Sequence, residues 1–129
     1  MSHATAIIRE ARYAVSIKAG SHELISDEGL ALGGQDAGPS PYELLLASLG
    51  SCTVMTMKMY AERKGWPLVS ASVKLLFERD GDTAKIRRVL KLEGDLTEEQ
   101  RARFADIAER TPVTLTLKAG VPIHTKLAW

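Results

Sequence analysis

The segment that most constrains this chain is residues 41–64, which reads as one long helix that a single small domain would struggle to cover. Ser40-Pro41-Tyr42-Glu43 has the form of a helix start. Ser40 can cap free backbone N–H groups, Pro41 suits the first helical position, and Glu43 completes a capping box. Gly65 and Pro67 are stop signals at the other end. At 1.5 Å per residue the helix would be ~35 Å long. Its first half is apolar on nearly every side, which predicts burial all round. One layer of sheet covers one face of a helix, so a second layer or a second subunit would have to cover the rest.

The flanking segments predict antiparallel strands. Residues 5–27 alternate in places through Ile8, Tyr13, Val15, Ile17, Leu24 and Ile25, with Gly20-Ser21 as a hairpin turn. Residues 28–41 are dense in glycine and proline and predict a loop. Val69, Ala71, Val73, Leu75 and Phe77 fall on one face of a strand. Gly81-Asp82 then turns the chain into a partner strand with Ile86, Arg88, Leu90 and Leu92 on one face. Thr97 and Gln100 predict a capped second helix with Phe104, Ile107 and Ala108 as its apolar stripe. Thr111-Pro112 predicts another cap and a short helix over 113–118, ended by Gly120. Val121 to Leu127 predicts a final strand. Strands and helices are partly segregated without βαβ alternation, so the expected class is α+β.

The 129 residues predict one domain spanning 1–129. Lys and Arg number 17 against 16 Asp and Glu, interleaved rather than clustered, so no nucleic-acid or anionic-membrane partner is expected. The apolar run from Leu44 to Met57 is shorter than the ~20 residues a membrane span needs. Met1 to Thr5 lacks a basic segment followed by an apolar core, so no signal peptide is expected. The single cysteine allows no intrachain disulfide and suits a reducing cytoplasm. His3, His22 and His124 have no metal-ligand spacing, and Gly33-Gly34 lacks a phosphate-loop or dinucleotide motif, so neither metal nor cofactor is expected.

Cys52 is therefore the residue on which any chemistry would turn. A cysteine in an apolar helix can simply be a small buried hydrophobe. To react as a thiolate from mid-helix it needs a cation from elsewhere in the fold, because its own helix dipole acts over the end turns. Gly50 and Ser51 beside it would allow another segment to approach closely, or would simply ease packing. Met55, Met57 and Met59 read as core and subunit packing or as the wall of an adaptable apolar pocket.

The run from Gly33 to Cys52, GGQDAGPSPYELLLASLGSC, and its continuation through Met55-Thr56-Met57 and Tyr60 to Leu68, resembles the central motif of the OsmC/Ohr family. The resemblance implies an intertwined homodimer with antiparallel sheets wrapped around two long helices. It also implies thiol-dependent reduction of organic hydroperoxides as an oxidative stress defence. In peroxidase branches a central-helix cysteine attacks the hydroperoxide, a second cysteine resolves its sulfenic acid, and a dithiol regenerates the pair. An N-terminal arginine and a glutamate assist. Carried onto this chain, these roles fall to Cys52, to Arg9 or Arg12, and to Glu43.

Two positions depart from that pattern. Where a Cys-Pro-Val-like motif is expected, this chain has Thr111-Pro112-Val113, and a hydroxyl cannot form a resolving disulfide. The glutamate is expected ten residues before the cysteine, where Tyr42 stands, and Glu43 lies nine before. At ~100° per residue an offset of nine puts two side chains on opposite helix faces, and ten brings them within ~80°. The sequence thus predicts a one-cysteine hydroperoxide reductase served by an external thiol. The alternative is a non-enzymatic dimer that binds a small apolar or electrophilic molecule.

Overall fold

The computed structural model describes residues 1–128. They form two compact units, Met1–Ala47 and the chain from Ser48 onward.

In the first unit, β1 (Ala4–Ile8), β2 (Val15–Ala19) and β3 (His22–Ser26) form an antiparallel meander in sequence order. Ala19 pairs with His22 across the Gly20-Ser21 turn, as the alternation predicts. The glycine-rich segment that follows is ordered by backbone hydrogen bonds rather than by a core. Asp27 N–H donates to Pro39 O at 3.2 Å, and the Ser26 hydroxyl donates to the same carbonyl at 2.8 Å. Asp27 is 3% exposed, and its carboxylate accepts from the N–H groups of Glu28, Gln35 and Ala37 at 2.8, 3.1 and 3.2 Å. The loop folds so tightly that a Cβ at Gly34 would lie 2.0 Å from the Glu28 carbonyl oxygen.

The long helix α1 (Pro41–Lys64) begins at the expected capping box. Glu43 accepts from Ser40 N–H at 2.9 Å, and Ser40 Oγ accepts from Glu43 N–H at 3.2 Å. α1 is 24 residues, longer than its apolar run, and by length and composition alone it could cross a membrane. Its buried residues Leu49, Gly50, Thr53, Met57 and Ala61 form one packed face.

That face belongs to the second unit. There β4 (Leu68–Asp80) and β5 (Thr83–Gly94) pair as a long antiparallel hairpin. A Cβ at Gly50 would lie 2.9 Å from Leu75 Cδ1 and 3.5 Å from Val73 Cγ1, so this glycine lets α1 approach β4. α2 (Glu98–Ala108) starts at the expected capping box of Thr97 and Gln100. Its Phe104, Ile107 and Ala108 pack with Met57, Ala61 and Leu68 to make the core. Tyr60, Trp66 and Phe104 meet edge to face, with centroids 5.3 to 6.2 Å apart. α3 (Pro112–Ala119) follows Thr111 and ends at Gly120.

Two expectations need correction. Val69 does not face inward with Ala71, Val73, Leu75 and Phe77, for it is 76% exposed. A register shift between Leu68 and Ser70 turns Val69 out and buries Leu68 in its place. Residues 121–127 do not form a strand. Val121, Ile123 and Leu127 lie exposed, because alternation supplies strand propensity but not a sheet edge to pair with. Within the single chain one side of α1 stays uncovered, with Met55 and Met59, one turn apart, both exposed; this is the side the sequence reading left for a second layer or subunit.

Candidate functional site

Cys52 sits half-buried on α1 as a free thiol. Its Sγ accepts a hydrogen bond from the backbone N–H of Val113 at 3.5 Å. The partner is set by local chemistry. Thr111 is the N-cap of α3 and Pro112 its first residue, and proline has no N–H. The first N–H that α3 can present is therefore that of Val113, and it meets the sulfur. A helix N-terminus offers unpaired donors and the positive end of the helix dipole. The sequence reading looked for a cation from elsewhere in the fold, whereas the structure places a backbone N–H from the start of another helix on the sulfur.

Thr111 occupies the N-cap position as expected, but its hydroxyl caps nothing. Its Oγ1 lies 2.6 Å from Thr114 Oγ1, and both side chains are buried. Thr114 Oγ1 in turn donates to Ala108 O at 3.2 Å. With the Thr114 proton on that carbonyl, the proton between the two threonines belongs to Thr111.

Arg88 gathers this cluster. It stands on β5 opposite Leu75, on the inward face. Nη1 donates to Thr53 Oγ1 at 3.0 Å and to Thr114 Oγ1 at 2.9 Å. Nη2 donates to Ala108 O and pairs with Glu109 Oε2 at 3.5 Å. Thr53, the neighbour of Cys52, passes its own proton to Leu49 O at 2.7 Å. Glu109 accepts from Lys118 Nζ at 2.8 Å. That hydrogen bond, with the charges of Lys118 and Arg88, holds the Glu109 carboxyl below its ordinary value. Beside the cluster, Leu49, Phe77, Ile86, Arg88, Thr114 and Leu117 line much of an open cleft of about 550 Å³.

The other expected residues lie in the first unit. Arg9 and Arg12 are exposed in the segment between β1 and β2, and the Arg12 guanidinium lies 5.2 Å from the centre of the Tyr13 ring. Glu43 is engaged in the capping box. Among the described residues no three His, Cys, Asp or Glu side chains gather as metal ligands.

Sequence reasoning placed Arg88 on the apolar face of its strand and drew nothing from it. A charged side chain in register with Ile86 and Leu90 was the available signal, because such a group must find buried partners. Thr53 and Thr114 carried no signal of their own.

The model of the family described as OsmC-like protein matches residues 33–126. Solved structures are similar over nearly the whole chain at low identity. A putative osmotic stress induced and detoxification response protein from Psychrobacter arcticus is 18% identical, with a TM-score of 0.78, covering 95% of this chain and 90% of that one. An OsmC-like protein from Mycoplasma pneumoniae is 17% identical, with a TM-score of 0.79, covering 92% and 87%. An organic hydroperoxide resistance protein from Legionella pneumophila is 14% identical, with a TM-score of 0.70, covering 92% and 89%. No curated protein matches the chain.

Proposed function

The chain belongs to the OsmC-like protein family, and from that premise we propose that it reduces organic hydroperoxides through the thiol of Cys52. The observation that carries the reading is the Cys52 sulfur at the first available N–H of α3. That N–H is aimed at the atom that would attack the peroxide. The thiolate attacks one oxygen of the hydroperoxide and the O–O bond breaks. The other oxygen takes up a proton and leaves as an alcohol, and Cys52 becomes a sulfenic acid. A thiol then displaces water from that sulfenic acid to give a mixed disulfide. A second thiol releases the Cys52 thiol as the disulfide of the two small thiols forms. Both thiols must come from outside, because Cys52 is the single cysteine and Thr111 stands where the family resemblance puts a resolving cysteine.

In this reading Arg9 or Arg12 supplies assisting positive charge and Glu43 assists at the start of α1. The working form is a homodimer in the cytoplasm, whose second subunit covers the Met55 and Met59 side of α1. The name of the Legionella structure, an organic hydroperoxide resistance protein, supports the substrate class. The hydroxyl of Thr111 favours the second reading, a dimer that binds a small apolar or electrophilic molecule without turnover.

The test is intact mass after cumene hydroperoxide without reductant. The expected result is rapid addition of one oxygen, reversed by a dithiol and absent in Cys52→Ser. An unchanged mass in the folded wild type would leave only the binding reading.

A further inference from the structure

We infer that Arg88 is the positioning residue that sets the first turn of α3 on the Cys52 sulfur. The inference rests on Cys52 as the reacting group of the reading above. The Arg88 side chain is 13% exposed, and one guanidinium fork reaches three helices. It holds Thr53 of α1, the residue after Cys52, the Ala108 carbonyl at the end of α2, and Thr114 in the first turn of α3. α3 has only eight residues, too few to hold itself in place, so its position depends on tertiary contacts. Only Glu109, Arg110 and Thr111 connect it to α2, and Arg88 fastens both sides of that connection.

The second part of the argument is the direction of the hydroxyls. A threonine at an N-cap ordinarily turns its oxygen onto an N–H of the first turn. Thr111 does not, because its hydroxyl lies on Thr114, which Arg88 and Ala108 O hold in place. The Val113 N–H is thereby left to the sulfur. Without the guanidinium, Thr114 loses its main anchor and Thr111 is free to close the cap. Arg88 thus decides whether the first turn of α3 is held by its own cap or offered to Cys52. It acts through the two threonines.

The test is the rate of Cys52 alkylation by iodoacetamide in full-length Arg88→Lys and Arg88→Ala, with folding checked by circular dichroism. Lysine keeps the charge but not the planar fork that spans three partners. Both variants should alkylate at least about tenfold more slowly than wild type, the scale of one lost hydrogen bond to a charged group. Added methylguanidinium should restore much of the rate in Arg88→Ala and none in Arg88→Lys. A folded variant that reacts within about twofold of wild type would overturn the inference. So would failure of both variants to fold, since Arg88 would then serve the fold at large.

Cumene hydroperoxide in parallel separates the two claims. Alkylation that depends on Arg88, with no oxygen transfer in wild type, leaves the positioning role standing and removes the hydroperoxide reading. Oxygen transfer that is indifferent to Arg88 does the reverse.

Discussion

Asp27 does for the first unit what a hydrophobic cluster does elsewhere. Its carboxylate is the shared acceptor for three N–H groups of a loop too rich in glycine to hold itself. Burial pushes this carboxyl up, but the N–H groups of Ala37, Gln35 and Glu28 outweigh that and hold it below its ordinary value. A carboxyl lowered on folding stabilises the protein above its unfolded value, and that contribution is lost as pH falls through the folded one. Thermal melting followed from neutral pH into the acid range below the ordinary carboxylate value checks this. Wild type should lose more stability over that range than Asp27→Asn, which starts lower and falls less. No local pattern hints at the role, since an aspartate before a glycine-rich stretch reads as turn chemistry. The register of Arg88 with Ile86 and Leu90 signals buried partners but not which ones. Its partners lie 20 to 35 residues away in sequence, beyond the reach of any local pattern.

At the scale of elements, local signals were legible and pairing was not. Both capping boxes formed where Ser40 with Glu43 and Thr97 with Gln100 predicted them, because every atom involved lies within one turn. The hairpin of β4 and β5 was also legible, from alternation and the Gly81-Asp82 turn. Val69 was misplaced because the shift that expels it is set by the pairing of Leu68 with Gly94, a partner far along the chain. Phe104→Ala and Val69→Ala put this to the test. Phe104 is fully buried between Tyr60 and Trp66, and its truncation should cost about 3–5 kcal/mol in urea unfolding. Val69→Ala should stay within about 0.5 kcal/mol of wild type if that side chain faces solvent. A large loss at Val69 would mean that the strand runs in the unshifted register.

The molecule as a whole has more apolar surface than one chain conceals. Met55 and Met59 on α1, and Ile7, Ile8 and Ile25 on the first sheet, are exposed. The sequence anticipated this for α1, whose apolar residues circle the helix while one sheet covers one side. Patches of this kind mark interaction surfaces, and the proposed homodimer gives them a use. Sedimentation velocity on Met55→Glu with Met59→Glu should show monomer at concentrations where wild type sediments as dimer, because two charges would be buried without partners. A wild-type monomer at high concentration would remove the homodimer from the reading.

Thr111, buried against Thr114, has a further consequence under the proposed chemistry. A family member with two thiols shelters its oxidised sulfur at once by closing a bridge. Here the oxidised sulfur waits unguarded for a visitor from solution. If peroxide arrives before a thiol does, the next product is a sulfinic acid, which ordinary thiols do not reverse. Such a protein works as a fuse rated by the surrounding thiol supply. It carries current while reductant is plentiful and burns out, one chain at a time, when the supply fails.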